Sequence, residues 1–162
     1  DFSPNYFFLK LTTKIWKFQY TNLFTEMTAE PKGAGGDRVL EKKYLAFHHL
    51  GINVTKWLNM GVFESIPYGR NNGSIELQYL NPIIFYRSVE QQLGSGDNAL
   101  LGADFKANFL KHFSAYGQLT LDEAKIGEIM ARNGWWGNKQ AFQLGAKYID
   151  AFGISNLDFQ TQ

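Results

Sequence analysis

Apolar and polar residues alternate with a period of two over most of this chain, which is the pattern of strands with one apolar face. From Tyr6 onward, Phe7, Leu9, Leu11 and Ile15 fall on one face and Phe8, Lys10, Thr12 and Lys14 on the other. The assignment breaks around Ile15-Trp16-Lys17, after which Gln19, Thr21, Leu23 and Thr25 alternate with Tyr20, Asn22, Phe24 and Glu26. A tight hairpin explains the break, although no Asn-Gly pair marks the turn. The plan returns in Lys43–Asn53 and Leu58–Gly69 around a turn at Val54–Trp57, and in Ala99–Lys106 and Ala115–Asp122 around a turn at Leu110–Phe113. A fourth unit runs through Ala141–Tyr148 to a bend near Phe152–Gly153, and a last strand carries Leu157 and Phe159.

Short and long connections alternate. The short ones lie near Trp16, Trp57, Phe113 and Phe152, and the long ones include Ala29–Arg38, Arg70–Ser74 and Glu123–Asn138, rich in Gly, Asn or charge. Three of the four short turns place an aromatic residue within two positions of a Lys. Tight turns with aromatics at one end and long loops at the other are the plan of an outer-membrane barrel. The expected fold is all-β: an antiparallel up-and-down transmembrane β-barrel segment of about eight strands with one short inserted helix. Residues 1–162 would form part of a single barrel domain. A soluble sandwich or lipocalin-like barrel is the alternative. The start without Met and the end at Thr161-Gln162, not an aromatic residue, read as a piece of a longer protein with further strands.

The stretch Tyr79–Lys106 breaks the rhythm with a Pro-initiated apolar block. Here Asn81 can cap a short helix, Pro82 can occupy its first turn, and Phe85, Val89 and Leu93 line one face before Gly94 stops it. Such a helix is expected to pack into the barrel mouth or lumen with Arg87 and Glu90 toward the polar wall. Together with Asp104, Lys106 and Asp122 they are the candidate lumen or constriction residues.

Composition narrows the classes. Lys plus Arg (16) nearly balances Asp plus Glu (15), which gives no argument for nucleic acid or an anionic membrane surface. Aromatic residues make up 16% of the chain, a share that strands at a membrane interface would explain. Cysteine is absent, so neither a disulfide scaffold nor a thiol nucleophile exists. No run of 18 apolar residues encodes a membrane-crossing helix, and the first ten residues lack the features of a signal peptide.

Catalytic chemistry finds little footing. His48 and His49 are adjacent on an expected strand and point to opposite faces, so they cannot readily share a metal ion. A Ser-His-acid set built from either histidine with Ser65 or Ser88 would suit an outer-membrane hydrolase, but no nucleophile-elbow motif accompanies it. Gly94–Gly102 lacks the Gly-Lys-Ser/Thr of a phosphate loop. Lys10, Glu64, Asp104, Lys106, Asp122 and Lys147, with Gln118 and Gln143, are expected on inward faces as a wet, mixed-sign interior. The loops bearing Arg70, Asn71 and Asn72 and then Arg132, Asn133, Trp135, Trp136 and Asn138 combine aromatic, amide and cationic groups suited to a saccharide.

The succession HHLGINVTKWLNMGVFESIPYGR (His48–Arg70), QYLNPIIFYRSVEQQLGSGDNALLGADFKANF (Gln78–Phe109), YGQLTLDE (Tyr116–Glu123) and GWWGNKQAFQLGAKYIDAFGISNLDFQ (Gly134–Gln160) resembles the Wzi family of capsule-assembly outer-membrane proteins. Within it the closer likeness is to the RemB-like gliding-motility branch of the Bacteroidetes. The resemblance covers roughly the last two-thirds of the chain, and the block from Leu80-Asn81-Pro82 to Lys106 is its most specific part. It implies a many-stranded bacterial outer-membrane barrel with helical elements, which holds surface polysaccharide and catalyses no reaction. The partners it implies are that polysaccharide and outer-membrane lipid, with other envelope proteins as the alternative for a gliding or secretion apparatus. No cofactor, metal or catalytic residue comes with it.

Overall fold

The computed structural model describes residues 6–28, 42–70, 73–86, 97–122 and 139–162. They form eight antiparallel strands in one sheet: β1 (Phe7–Ile15), β2 (Phe18–Thr28), β3 (Lys42–Asn53), β4 (Leu58–Gly69), β5 (Leu100–Phe109), β6 (Phe113–Asp122), β7 (Lys139–Tyr148) and β8 (Phe159–Thr161). Their spatial order is their chain order, so every strand pairs only with its sequence neighbours. The sheet is an up-and-down meander that does not close on itself: β1 pairs with β2 alone and β8 with β7 alone. No described helix is long and apolar enough to cross a membrane, which says nothing about crossing by strands.

Residues directly opposite each other in an antiparallel pair share a face, so the register sorts the whole sheet into two surfaces. One carries Phe7, Leu9, Leu11, Leu50, Ile52, Val62, Phe105, Leu119, Phe142 and Leu144. The other carries Lys10, Lys14, His49, Asp104, Lys106, Gln118, Gln143 and Lys147. The expected polar face therefore exists with one exception. Glu64 lies opposite His48 and Leu101, on the apolar surface.

The short turns are tighter than their composition suggests. Trp16 alone with Lys17 joins β1 to β2, and Leu110–His112 joins β5 to β6, with Trp16, Leu110 and Lys111 at φ of 53°, 49° and 65°. Bulky side chains seldom adopt this left-handed region. The turn at Val54–Trp57 falls where expected, between β3 and β4. Neighbouring turns are tied edge to edge by the amides of Asn53, Asn108 and Ile149, which donate to the carbonyls of Lys17, Trp57 and His112. Leu157 precedes the last strand and does not belong to it; β8 begins at Phe159.

Between β4 and β5 the described residues hold a turn of 3-10 helix, Leu77–Leu80, which the alternation pattern does not mark, and an α-helical residue at Tyr86. Asn81 ends that 3-10 turn instead of capping the start of a helix, and its side-chain oxygen accepts the Ile83 amide at 3.1 Å in a local turn. The helix does not start at Pro82: Phe85 has φ 65°, a left-handed value that an α-helix does not contain, and Tyr86 is the first α-helical residue described. Phe85 is therefore not part of that helix, and the other expected members of its apolar face, Val89 and Leu93, lie outside the described residues, as do Arg87 and Glu90.

Candidate functional site

On the apolar surface, at the end of the short turns, aromatic rings line up across strands. Phe109 faces Phe113, Phe113 faces Tyr148 and Tyr148 faces Phe159 in register. The first two pairs stack at centroid distances of 5.9 and 4.4 Å, and Phe152 meets both Tyr148 and Phe159 edge-on. At the β1–β2 turn, apart from this row, Trp16 packs beside Phe18, with the Lys17 ammonium 5.2 Å from its ring. Farther along the same surface Phe142 is 85% and Leu144 65% exposed.

The same surface is covered over β2–β4. Tyr79, from the 3-10 turn, stacks on Tyr68 at 4.0 Å, and Tyr68 stacks on its cross-strand partner Tyr44 at 5.3 Å. Ala46, Ile66, Ala99 and Phe24 complete this core. The segment 73–86 is thus a strap laid over three strands. Its start is fixed by Arg70, whose guanidinium makes a two-pronged bond to Asp97 (2.8 and 2.7 Å) and also donates to Glu76. Tyr79 donates its hydroxyl to Asp97, and Tyr44 donates to the Gly73 carbonyl at 2.8 Å. These carboxylates hold the Arg70 proton more firmly than usual, and Arg70 holds the Glu76 carboxyl below the usual carboxylate range.

Under the strap lies a polar row. Asn22, His48 and Glu64 stand directly opposite one another on β2, β3 and β4. His48 Nδ1 is 2.9 Å from Glu64 Oε1, with the side chains 1% and 0% exposed. Tyr20 stacks against the His48 ring at 6.4 Å, and Phe24 meets it edge-on at 5.8 Å. Tyr20 in turn donates its hydroxyl to the Pro82 carbonyl of the strap. On the opposite surface His49 Nε2 pairs with Asp104 Oδ2 at 2.8 Å, reaching from β3 to β5 over Gly61. A Cβ at Gly61 would collide with both groups.

The residues singled out by their chemistry divide accordingly. Asp104, Lys106 and Asp122 share the polar surface, where Asp104 is engaged by His49 and Lys106 is exposed. Arg70 stands at the opposite end of the sheet from the short turns, held by two carboxylates. Asn71, Asn72, Arg132, Asn133, Trp135, Trp136 and Asn138 lie outside the described residues, as does Ser88. Ser65 faces Phe47 on the polar surface, away from His48. Among the described residues no three His, Cys, Asp or Glu side chains gather as a metal site. The row Asn22–His48–Glu64 escapes a reading of the sequence because its members look like faults in the alternation. A signal exists all the same: a hairpin centred on Lys56 pairs positions equidistant from it, and His48 and Glu64 are such positions. Comparison of the chain with protein-family models, with curated proteins and with solved structures finds no match in any of the three.

Proposed function

We propose that this sheet is a section of the wall of a bacterial outer-membrane β-barrel that holds surface polysaccharide at the cell exterior and catalyses no reaction. The observation that carries the membrane reading is the bare apolar surface of β5–β8 bounded by an aromatic line at the short-turn end. Water disfavours such a surface, whereas a lipid acyl region matches it and interfacial lipid suits the aromatic rings. The seven principal strands have 9 to 12 residues. At a rise of about 3.4 Å per residue and a tilt of about 40°, they would span roughly 23–31 Å, close to the apolar band of such barrels. The polar surface, with charges of both signs, would then line the interior.

The polysaccharide part of the reading rests on the likeness to capsule-assembly proteins and on the loop composition. β4 and β6 both end away from the short turns, at Gly69 and Asp122, the strand ends that precede Arg70–Asn72 and Arg132–Asn138 in the chain. Two experiments test the two parts separately. Heat-modifiable gel mobility of the full-length protein is expected of a barrel, and its absence, with solubility free of detergent, would move the fold to a soluble β-structure. Replacing Trp135 and Trp136 by Ala is expected to abolish polysaccharide retention, and unchanged retention would remove that loop from the account.

A second reading, a structural or partner-binding barrel of a gliding or secretion apparatus, has its own observation. Arg70 is committed to Asp97 and Glu76, which leaves it poorly placed to hold an anionic sugar. Copurification with other envelope proteins without glycan binding would favour this reading.

A further inference from the structure

The charges of the chain nearly balance in number, yet the fold sorts them along the strands. At the long-connection end Lys42 pairs with Glu26 at 2.8 Å, and Arg70 pairs with Asp97 and Glu76. The tight turns β1–β2, β3–β4 and β5–β6 at the other end hold lysine and no acid: Lys17, Lys56 and Lys111, each exposed and without an ion pair among the described residues. Beside each lysine in the chain stands a large apolar side chain that is also exposed, Trp16 at 82%, Trp57 at 52% and Leu110 at 76%. One ammonium and one apolar tip thus occur together three times.

The three pairs are neighbours. The Asn53 amide donates to the Lys17 carbonyl at 2.9 Å and the Asn108 amide to the Trp57 carbonyl at 2.8 Å, which ties each turn to the next. Successive turns are two strand spacings apart, roughly 10 Å. The described acids at this end, Asp150 and Asp158, belong to the β7–β8 corner and are engaged there: Asp158 with Lys147 at 2.7 Å, and Asp150 by the Asn156 amide at 2.8 Å. The strip formed by the three turns therefore carries positive charge alone.

We propose that these three turns form a binding strip for the headgroups of anionic phospholipid. The inference rests on the membrane reading above and adds to it the class of lipid. The ammonium groups of Lys17, Lys56 and Lys111 meet headgroup phosphates, while Trp16, Trp57 and Leu110 enter the boundary between headgroups and acyl chains, where a ring with one polar edge is best accommodated. Lys17 already holds its ammonium 5.2 Å from the Trp16 ring, so charge and apolar tip reach the same depth together. A water-facing turn gains nothing from the bare apolar tips, and a zwitterionic leaflet gives three ammonium groups no net attraction; an anionic leaflet matches both. The short turns of outer-membrane barrels face the periplasm, so the leaflet within their reach is the inner one, built of glycerophospholipid.

The test uses the full-length protein reconstituted in phosphatidylcholine vesicles that contain equal amounts of either brominated phosphatidylglycerol or brominated phosphatidylcholine. Bromine quenches tryptophan on contact, and the signal of Trp16 and Trp57 is isolated by subtracting that of a Trp16→Phe/Trp57→Phe variant. Phosphatidylglycerol is expected to be preferred at these two positions. The preference should fall about fivefold with Lys17→Gln or Lys56→Gln, and vanish when Lys111→Gln is added to both or when salt of about 1 M shortens the Debye length to about 3 Å. All three side chains are exposed in turns, so their exchange leaves the sheet folded. Equal quenching by the two lipids would overturn the strip and leave the membrane reading standing, whereas quenching by neither would overturn both. A preference that survives in the triple variant would overturn the assignment to these lysines.

Discussion

The apolar surface exists in two versions on one sheet. Over β2–β4 it is roofed by the strap, and Tyr44, Ala46, Ile66, Tyr68 and Tyr79 are buried. Over β5–β8 Phe142, Leu144 and Leu119 are exposed, though the alternation that put them there is the same. Alternation decides which way a side chain points, and the covering decides whether it is buried. The roofed half also tolerates what the bare half lacks, a buried acid and base, because stacked rings and the strap keep the pair together and away from solvent. Burial supplied by the protein itself permits polar groups to be built in.

The sharpest way to break this comparison is to take the strap's anchor away. Tyr79→Ala removes a nearly fully buried ring from the middle of a stack, and large-to-small core changes of this size cost about 3–5 kcal/mol. Denaturant unfolding should register that loss, and the accessibility of Tyr68 should rise with it. Leu144→Arg separates lipid from water as the partner of the bare half. An arginine at a bilayer midplane costs about 2–4 kcal/mol, so stability should fall by that amount if the surface meets lipid and hardly at all if it faces water. Gly61→Ala probes the polar surface, where the added methyl displaces His49 from Asp104. A partly exposed pair of this kind is worth about 1 kcal/mol or less, and a larger loss in a melt would mean that the pair does more than join β3 to β5.

The smallest effect concerns acid. Arg70 depresses the Glu76 carboxyl, so the stability from that contact is fully present above the unfolded value of about 4.3 and fades as pH falls through the lower folded value. Strap protection should drop in that acidic window, and Arg70→Gln should remove the drop. A drop that survives Arg70→Gln would assign it to another carboxylate.

Much of the architecture is written in the alternation. The faces of β1, the turn at Val54–Trp57 and the polar set Lys10, Asp104, Lys106 and Lys147 all follow from a period of two, because a strand has only two directions for its side chains. The pieces that are not legible are those set by contacts distant in sequence. Nothing near Arg70 announces Asp97, and nothing near Tyr79 announces Tyr68. Glu64 reads as inward because a charge on a strand usually marks the wet side; its buried partner on β3 overrides that rule. The sequence places the hairpin turns without typing them, since Trp16, Leu110 and Lys111 occupy left-handed positions where sequence rules look for Gly or Asn. The expected helix loses its first member for the same reason at Phe85.

The strand order has a consequence for how the chain folds. Turns of two, four and three residues close β1–β2, β3–β4 and β5–β6, and such hairpins form in about 1–10 μs. The joints between hairpins, β2 to β3, β4 to β5 and β6 to β7, each wait on a longer connection, whose entropic cost of closure grows with the logarithm of loop length. Assembly should therefore proceed as prefabricated hairpins meeting side by side. The β4–β5 joint is the slow seam, because the strap must settle over β2–β4 before the joint is sealed.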